Sequence, residues 1–407
     1  MIKRSIASVC VAGLVFASLS GCSWFDRSGV VVSEDEFRIT EDTLFATQLS
    51  PIAREMDTVP GINTSYLVTF DRDGSVQALK IEPMAIATPI WQGDTLVAID
   101  RKYDYFVSDR VVKVDHPKTE VTTYLYPSTT SDEVFALMNH GWSEDGSSYH
   151  AYTETITPQG YSTTDLDGIF LTGSECDGVL YALGDATGET VKHAPPELRD
   201  NATAFVQASG TSDGKQRIVE MTRINDSETS SEPLPCVNGR VVQLLDTEIV
   251  QKSKSGEPRY TYKAFVRVRD TKTGKHKDVP MKNSGGSPFV YEDLQFLASP
   301  YYELGSRDGS SIRWLAVNGS FWQTYIDTGV TEKLFQIQES EQFFAVGNAA
   351  FSPEGIHYLY EGDDGTVIKS FSKKDGSLIR TLEVPGFDAI TARTRQHWTL
   401  AVSPHVP

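Results

Sequence analysis

Short apolar strands broken by one kind of turn recur along most of this chain, and that recurrence restricts its fold more than any other feature. Runs rich in Val, Ile, Thr, Tyr and Phe occur at Tyr66–Phe70, Leu96–Asp100, Val111–Val114, Val121–Tyr126, Arg217–Met221, Tyr260–Val268, Ile312–Val317 and Val367–Phe371. Between such runs stand Asp71-Arg72-Asp73-Gly74, Asp115-His116-Pro117-Lys118, Asp185-Ala186-Thr187-Gly188, Asp226-Ser227-Glu228-Thr229, Thr271-Lys272-Thr273-Gly274, Asp327-Thr328-Gly329 and Lys374-Asp375-Gly376. Asp bonds back to nearby backbone and Gly supplies the positive φ that a tight hairpin needs. No segment longer than a turn or two carries helical periodicity, which excludes a parallel α/β sheet. The chain is therefore expected to be all-β. Turns repeating about every 45 residues, four strands to a unit, match the blades of a β-propeller. Seven blades of four-stranded antiparallel sheet fit best, with eight as the alternative. Closure of the ring is expected from pairing of the last strand, near Trp398–Val402, with a strand near Ser65–Phe70, which leaves no open sheet edge.

Several turns strengthen the propeller reading. Trp142-Ser143-Glu144-Asp145-Gly146, Thr211-Ser212-Asp213-Gly214-Lys215 and Phe351-Ser352-Pro353-Glu354-Gly355 each lead into a strand. They resemble the aromatic-Ser-Pro-Asp-Gly turns of TolB-like and YVTN-like propellers. Gly178–Glu189 resembles the strand-and-turn unit of PQQ-type repeats, without the Trp usual there, so no cofactor is carried over. Together these stretches cover about a quarter of the chain.

The N-terminus specifies an address. Lys3 and Arg4 precede an apolar stretch from Ile6 to Leu19, too short to span a bilayer, and then Leu19-Ser20-Gly21-Cys22. The tetrapeptide resembles the lipobox of bacterial lipoproteins. That resemblance implies a signal peptide over residues 1–21, cleavage after Gly21 and a diacylglyceryl group on the Cys22 sulfur. Two acyl chains hold a protein to a membrane where one gives only reversible contact. Ser23 in place of Asp favours the outer membrane if the cell has two; otherwise the outer leaflet of the plasma membrane is expected. Acids crowd Ser33-Glu34-Asp35-Glu36 and Glu41-Asp42, and residues 22–57 are read as a lipidated, acidic tether, with a short element near Phe45–Met56. The propeller is assigned to residues 58–407. A formal charge of −18 makes nucleic acid an unsuitable partner. Of four cysteines, Cys10 leaves with the signal and Cys22 is lipidated. Cys176 and Cys236 remain, an even pair in an oxidising compartment, and are read as a disulfide.

Catalytic patterns are sparse. Gly210-Thr211-Ser212-Asp213-Gly214 matches the nucleophile-elbow string, but a strand follows it where a helix is required, so it reads as a hairpin. None of the eight histidines forms a recognised ligand spacing; His140 and His150 flank one turn and are read as surface residues. No metal site is assigned. Asp71–Ser75 and Glu361–Gly365 are fragments of calcium loops that lack the closing Glu, so calcium stays open only as a central-channel ion. Aromatic pairs at Tyr103-Asp104-Tyr105-Phe106, Tyr301-Tyr302, Phe321-Trp322 and Phe343-Phe344 are expected to put one ring of each pair into the packing between blades. No catalytic residue is identified. The leading expectation is a lipid-anchored, non-catalytic binding or scaffold protein of the cell envelope, whose partner is an envelope protein or a small ligand. The alternative is a glycan- or peptide-directed hydrolase or lyase with its site in the funnel.

Overall fold

The computed structural model describes residues 30–51, 64–84, 88–118, 121–223, 232–252, 258–291, 300–304, 309–337, 349–362, 364–388, 390–391, 395–397 and 400–407. Its strands form seven antiparallel units in chain order. The second unit is Ile90–Gln92, Thr95–Ile99, Tyr103–Val107 and Val111–Asp115. The third comprises Val121–Pro127, Val134–Trp142, Tyr149–Thr157 and the first half of Gly160–Cys176. The second half of that long strand opens the fourth, with Val179–Ala186, Ala202–Gln207 and Arg217–Arg223. Cys236–Val237, Arg240–Lys252, Pro258–Asp270 and His276–Pro280 make the fifth. Tyr301–Tyr302, Ser311–Leu315, Ser320–Tyr325 and Val330–Gln336 make the sixth. Ala349–Phe351, Gly355–Gly362, Gly365–Ser372 and Leu378–Glu383 make the seventh.

The first unit closes the circle. Thr43–Pro51 pairs with Ser65–Asp71, which pairs with Val76–Ile81. The innermost strand comes from the far end of the chain: Arg395–His397 pairs with Leu49–Pro51, and Ala401–Val402 with Phe45–Ala46. Each seam between units holds an apolar cluster. Leu67, Leu79, Leu96 and Tyr105 pack the first against the second; Val97, Phe106, Val134 and Met138 the second against the third. Phe135 and Leu137 meet Leu180 and Val206 at the next seam. Leu183, Val242, Val266 and Trp314 run through the fourth, fifth and sixth. Phe321 and Phe335 meet Ile356 and Phe371, and Leu359 and Ile368 of the last unit meet Phe45 and Phe70 of the first. Sheets packed in a cycle, last against first, are a seven-bladed β-propeller. Each Leu or Phe sealed in a seam contributes about 1.5–3 kcal/mol, so the seams, rather than any one blade, hold the ring.

Two expectations need correction. The ring begins at Val31, which pairs in parallel with the outer strand of the first blade at Ala78, so residues 31–51 are not tether. Every residue from Thr43 to Ser50 is buried. A strand covered on both faces loses the alternation that marks a half-exposed one, which is why this strand does not stand out in the sequence. Ring closure likewise uses Thr43–Pro51, one strand earlier than Ser65–Phe70. Two turns also differ. Asp115–Lys118 links blades two and three instead of closing a hairpin, and Asp185–Gly188 runs into a short helix, Gly188–Lys192. The Asp226–Thr229 turn lies outside the described residues. The long strand can bend from blade three into blade four because Gly168 sits at φ +154°, where an added Cβ would lie 2.6 Å from the Asp185 oxygen.

Candidate functional site

Blades that are not neighbours can meet only around the ring axis. Tyr124 from the third blade, Glu232 and Pro233 entering the fifth, Tyr301 and Tyr302 from the sixth, and Ala349–Phe351 from the seventh together enclose a pocket of about 200 Å³, with Leu304 at its side. Tyr124, both tyrosines of the sixth blade and Ala349–Phe351 lie on the first strand of their blades. The first strands therefore line the channel, and this pocket is part of the funnel.

Glu232 is held there by its neighbours. Pro233 and Pro235 fix the backbone φ on the way into the fifth blade. Thr172 Oγ1 donates to the Glu232 carbonyl at 2.5 Å, and Leu234 N donates to Gly173 O at 2.8 Å. Cys176 and Cys236 are bonded to each other, with Cα atoms 5.5 Å apart. Three ties thus pin the Glu232 segment along one strand. In the chain-entropy model, closing a loop with sequence separation 60 stabilises the fold by about 4 kcal/mol. Replacing both cysteines by Ser should lower stability by about that amount, read as a shift in the urea midpoint; a shift of a few tenths of a kcal/mol would show that the bridge adds nothing to its surroundings.

Burial pushes the Glu232 carboxyl up to about 7, against the opposing pull of a hydrogen bond from Tyr124. The Tyr124 hydroxyl donates to Glu232 Oε2 at 3.2 Å. Such a carboxyl is half-protonated near neutral pH. An acid whose folded-state pKa is raised keeps its proton while the unfolded chain loses it, so stability falls as pH rises from about 4.5 through 7. Glu232→Gln should therefore melt higher than the wild type at pH 8 and at nearly the same temperature below about pH 4. Equal melting at both values would remove the burial argument.

A second polar cluster lies between blades two and three, wholly inside the protein. His116 Nδ1 is 2.9 Å from Asp104 Oδ2 and His116 Nε2 is 3.0 Å from Glu154 Oε1. Lys118 Nζ is 2.7 Å from Asp104 Oδ1 and donates to His116 O at 3.0 Å. Tyr161 stacks on the imidazole with ring centroids 3.3 Å apart. One ligand atom from each of Asp104, His116 and Glu154 falls within 4.8 Å of the others, close enough to suggest a metal. The chemistry points elsewhere. The two ring nitrogens face separate carboxylates, and Lys118 already supplies a cation. Burial works against a charged imidazole here, but the bonds to Asp104 and Glu154 prevail and raise the His116 pKa. The group is an internally neutralised clasp between blades.

A third arrangement pairs a serine with a histidine. His357 Nε2 is 2.9 Å from Ser352 Oγ, and its Nδ1 is 2.8 Å from Ser370 Oγ. Ser352 Oγ receives Gly355 N–H at 3.0 Å and donates to Pro407 O at 2.6 Å. The hydroxyl proton is thus committed to Pro407 and is not offered to the imidazole, as a nucleophile's would be. Burial lowers the His357 pKa to about 4, and Lys373 adds to the effect. This triplet fastens the end of the ring.

His140 and His150 lie together, with His193, in an open groove of about 740 Å³ between blades three and four, beside Asp165, Asp167 and Glu189. Asp167 Oδ2 accepts from the backbone N–H groups of Glu189 and Thr190, which ties that carboxylate to the short helix. Ser212 sits in an exposed turn before the strand Arg217–Arg223, as a hairpin requires. In the Asp71–Ser75 turn, Asp73 Oδ1 accepts Ser75 N–H and Asp71 Oδ1 accepts the Thr43 hydroxyl, so both carboxylates serve local structure. Cys22 and Phe343-Phe344 lie outside the described residues. Sequence reasoning missed Glu232, Tyr124 and the buried quartet. Tyr301 and Tyr302 were seen as a pair, but both line the pocket.

No family model matches this chain, and no curated protein does. Solved structures do. Apo AztD from Citrobacter koseri is 9% identical, with 88% of this chain and 96% of that one covered and a TM-score of 0.39. BamB from Moraxella catarrhalis is 11% identical over 83% of this chain and 94% of its own, at a TM-score of 0.37. An oligogalacturonate lyase in complex with manganese is 12% identical over 79% and 89%, at 0.38. Likeness at this level transfers no chemistry. The fold rests on the sheet topology above, and function on this chain's own residues.

Proposed function

We propose that the protein is a lipid-anchored, extracytoplasmic β-propeller that recognises a small ligand at its channel pocket without transforming it, as a binding element of the cell envelope. The observation that carries the reading is the convergence of four blades on one aromatic-walled pocket whose described lining holds one carboxyl, Glu232. A rigid ring holding a concave, mostly apolar site with one polar group that fixes orientation is how proteins bind small molecules. Glycoside cleavage in most families needs a pair of carboxyl groups flanking the bond. The described lining brings one carboxyl. The address follows from the lipobox-like Leu19–Cys22, with the body held outside the cytoplasm.

Ala349→Trp fills the pocket from the seventh blade and tests the reading. Ligands that raise the melting temperature of the wild type should leave this variant unmoved, and mass spectrometry should return each ligand unchanged after incubation. Turnover of a bound ligand would overturn the non-catalytic reading. Equal stabilisation of the filled variant would overturn the site.

A further inference from the structure

We propose that the outer rim of blades six and seven rests on a lipid bilayer, with Leu334, Leu378 and Ile379 seated at the headgroup boundary. The inference rests on the anchored reading above and adds which part of the ring meets the membrane.

The outer strands follow one another along the rim. Val330–Gln336 of blade six leads to Leu378–Glu383 of blade seven, and that to Val76–Ile81 of blade one. At each joint the hairpin of one blade abuts the end of the strand before it. A Cβ added at Gly376 would lie 2.5 Å from the Phe335 ring, and one added at Gly74 would strike the Glu383 carbonyl oxygen. Three large aliphatic side chains stand out around the first joint: Leu334 is 38% exposed, Leu378 47% and Ile379 58%. Leu334 adjoins Phe335, and Leu378 is two residues beyond Gly376. Such residues scattered singly need no explanation, but a cluster marks a face that meets an apolar partner. Strand pairing leaves this stretch open. Val31–Val32 adds a parallel strand outside blade one, and Lys282–Asn283 one at the start of the outer strand of blade six. Among the described residues, Leu378–Glu383 pairs only inward, with Gly365–Ser372.

The place where the chain joins the ring names the partner. Val30 O accepts Ala78 N–H at 2.9 Å. Val30 and Val31 pack on the cluster that holds Leu382, Val384 and Phe387, where blade seven meets blade one. A tether from Cys22 would therefore reach the ring at that joint. From Glu383 back to Ile379 is four residues of strand, roughly 13 Å at about 3.3 Å per residue. The apolar cluster thus lies on the part of the rim that an anchor would bring to the bilayer first. Charge agrees. Residues 330–336 and 374–383 carry three cations, Lys333, Lys374 and Arg380, against three acids, Glu332, Asp375 and Glu383, in a chain of −18. This balanced stretch is spared the repulsion that anionic headgroups exert on the acidic remainder. Lys and Arg at its border can keep their charges among the headgroups while the aliphatic side chains go deeper. Contacts of this kind lie in the interface and strengthen with the apolar area they bury.

The test uses the full-length protein in phosphatidylcholine vesicles whose acyl chains carry a nitroxide quencher. Ile379→Cys and Trp142→Cys are each labelled with a nitrobenzoxadiazole dye; the bridged Cys176 and Cys236 do not react with it. Trp142 is as exposed as Ile379, at 58%, but belongs to blade three, across the ring. Quenching several-fold stronger at position 379 than at 142 is expected. Leu378→Glu combined with Ile379→Glu, read by the same dye at Thr381→Cys, should lose the quenching while fatty-acid labelling of Cys22 continues. Fatty-acid-labelled protein with no quenching at 379, or with equal quenching at both positions, would overturn the rim contact and leave the anchor standing. Cross-linking of position 379 to a second copy or to another protein, in place of lipid quenching, would also overturn it. Protein that takes up no fatty acid and stays off the vesicles would overturn the anchor, and the rim contact with it.

Discussion

Lys118→Met is expected to destabilise the ring by about 3–5 kcal/mol, because it strands a buried carboxylate. Lys118 Nζ lies 2.7 Å from Asp104 Oδ1, and neither side chain is more than 1% exposed. Met fills similar space, so packing is largely kept and the loss is electrostatic. The measurement is the urea midpoint with m unchanged; a cost below about 1 kcal/mol would mean that the clasp holds no charge. A pH series separates the histidine from the lysine. Asp104 and Glu154 raise the His116 pKa, and Lys118 and Tyr161 are its other close neighbours. A base whose folded pKa is raised contributes stability that is complete below its unfolded value, near 6.5, and is lost as pH rises through the folded value. The wild type should therefore weaken as pH rises above about 6.5, and His116→Gln should flatten that slope while being less stable at pH 6. Glu232 slopes the same way, so the difference between the two variants, not the wild-type curve alone, assigns the effect.

The period of the ring was legible in the sequence because hairpin chemistry is local. Asp71–Gly74, Thr271–Gly274, Asp327–Gly329 and Lys374–Gly376 each close a hairpin between the third and fourth strands of a blade, and each ends on a glycine at positive φ. The site was not legible, because it is assembled from first strands, the shortest in their blades. Tyr301–Tyr302 and Cys236–Val237 are two residues each, too short to show any period. Glu232 carries no motif; its only local mark is the proline that follows, which restricts its backbone. His116 and Lys118 were hidden for a different reason. In Asp115-His116-Pro117-Lys118 the residue types are those of an exposed turn, and only packing against Glu154 and Tyr161 of the next blade turns them inward. Turn composition reports backbone geometry and says nothing of which blade will cover it. The Thr43–Pro51 strand marks the converse limit, since two-sided burial erased the alternation by which strands are found.

Cys22→Ala should move the protein entirely from the membrane pellet to the soluble fraction and abolish incorporation of labelled fatty acid. The argument is one of scale. Each buried lipid methylene is worth about 0.8 kcal/mol, so if Cys22 carries the two acyl chains that the lipobox-like motif implies, losing them removes far more affinity than a surface contact would replace. A formal charge of −18 adds repulsion from anionic headgroups. Because the ring begins at Val31, the segment from Cys22 to the first blade is much shorter than an acidic tether over 22–57 would be. At about 3.3–3.6 Å per extended residue it could reach at most roughly 30 Å, so an anchor at Cys22 would keep the ring beside the bilayer. Such a tether would concentrate the ring near the membrane surface. Lengthening the segment between Cys22 and Val30 with a Gly/Ser insert should therefore leave membrane attachment intact while lowering cross-linking from Leu304 at the pocket to membrane neighbours. Continued pelleting of Cys22→Ala after a carbonate wash would refute the anchor, whatever the pocket binds.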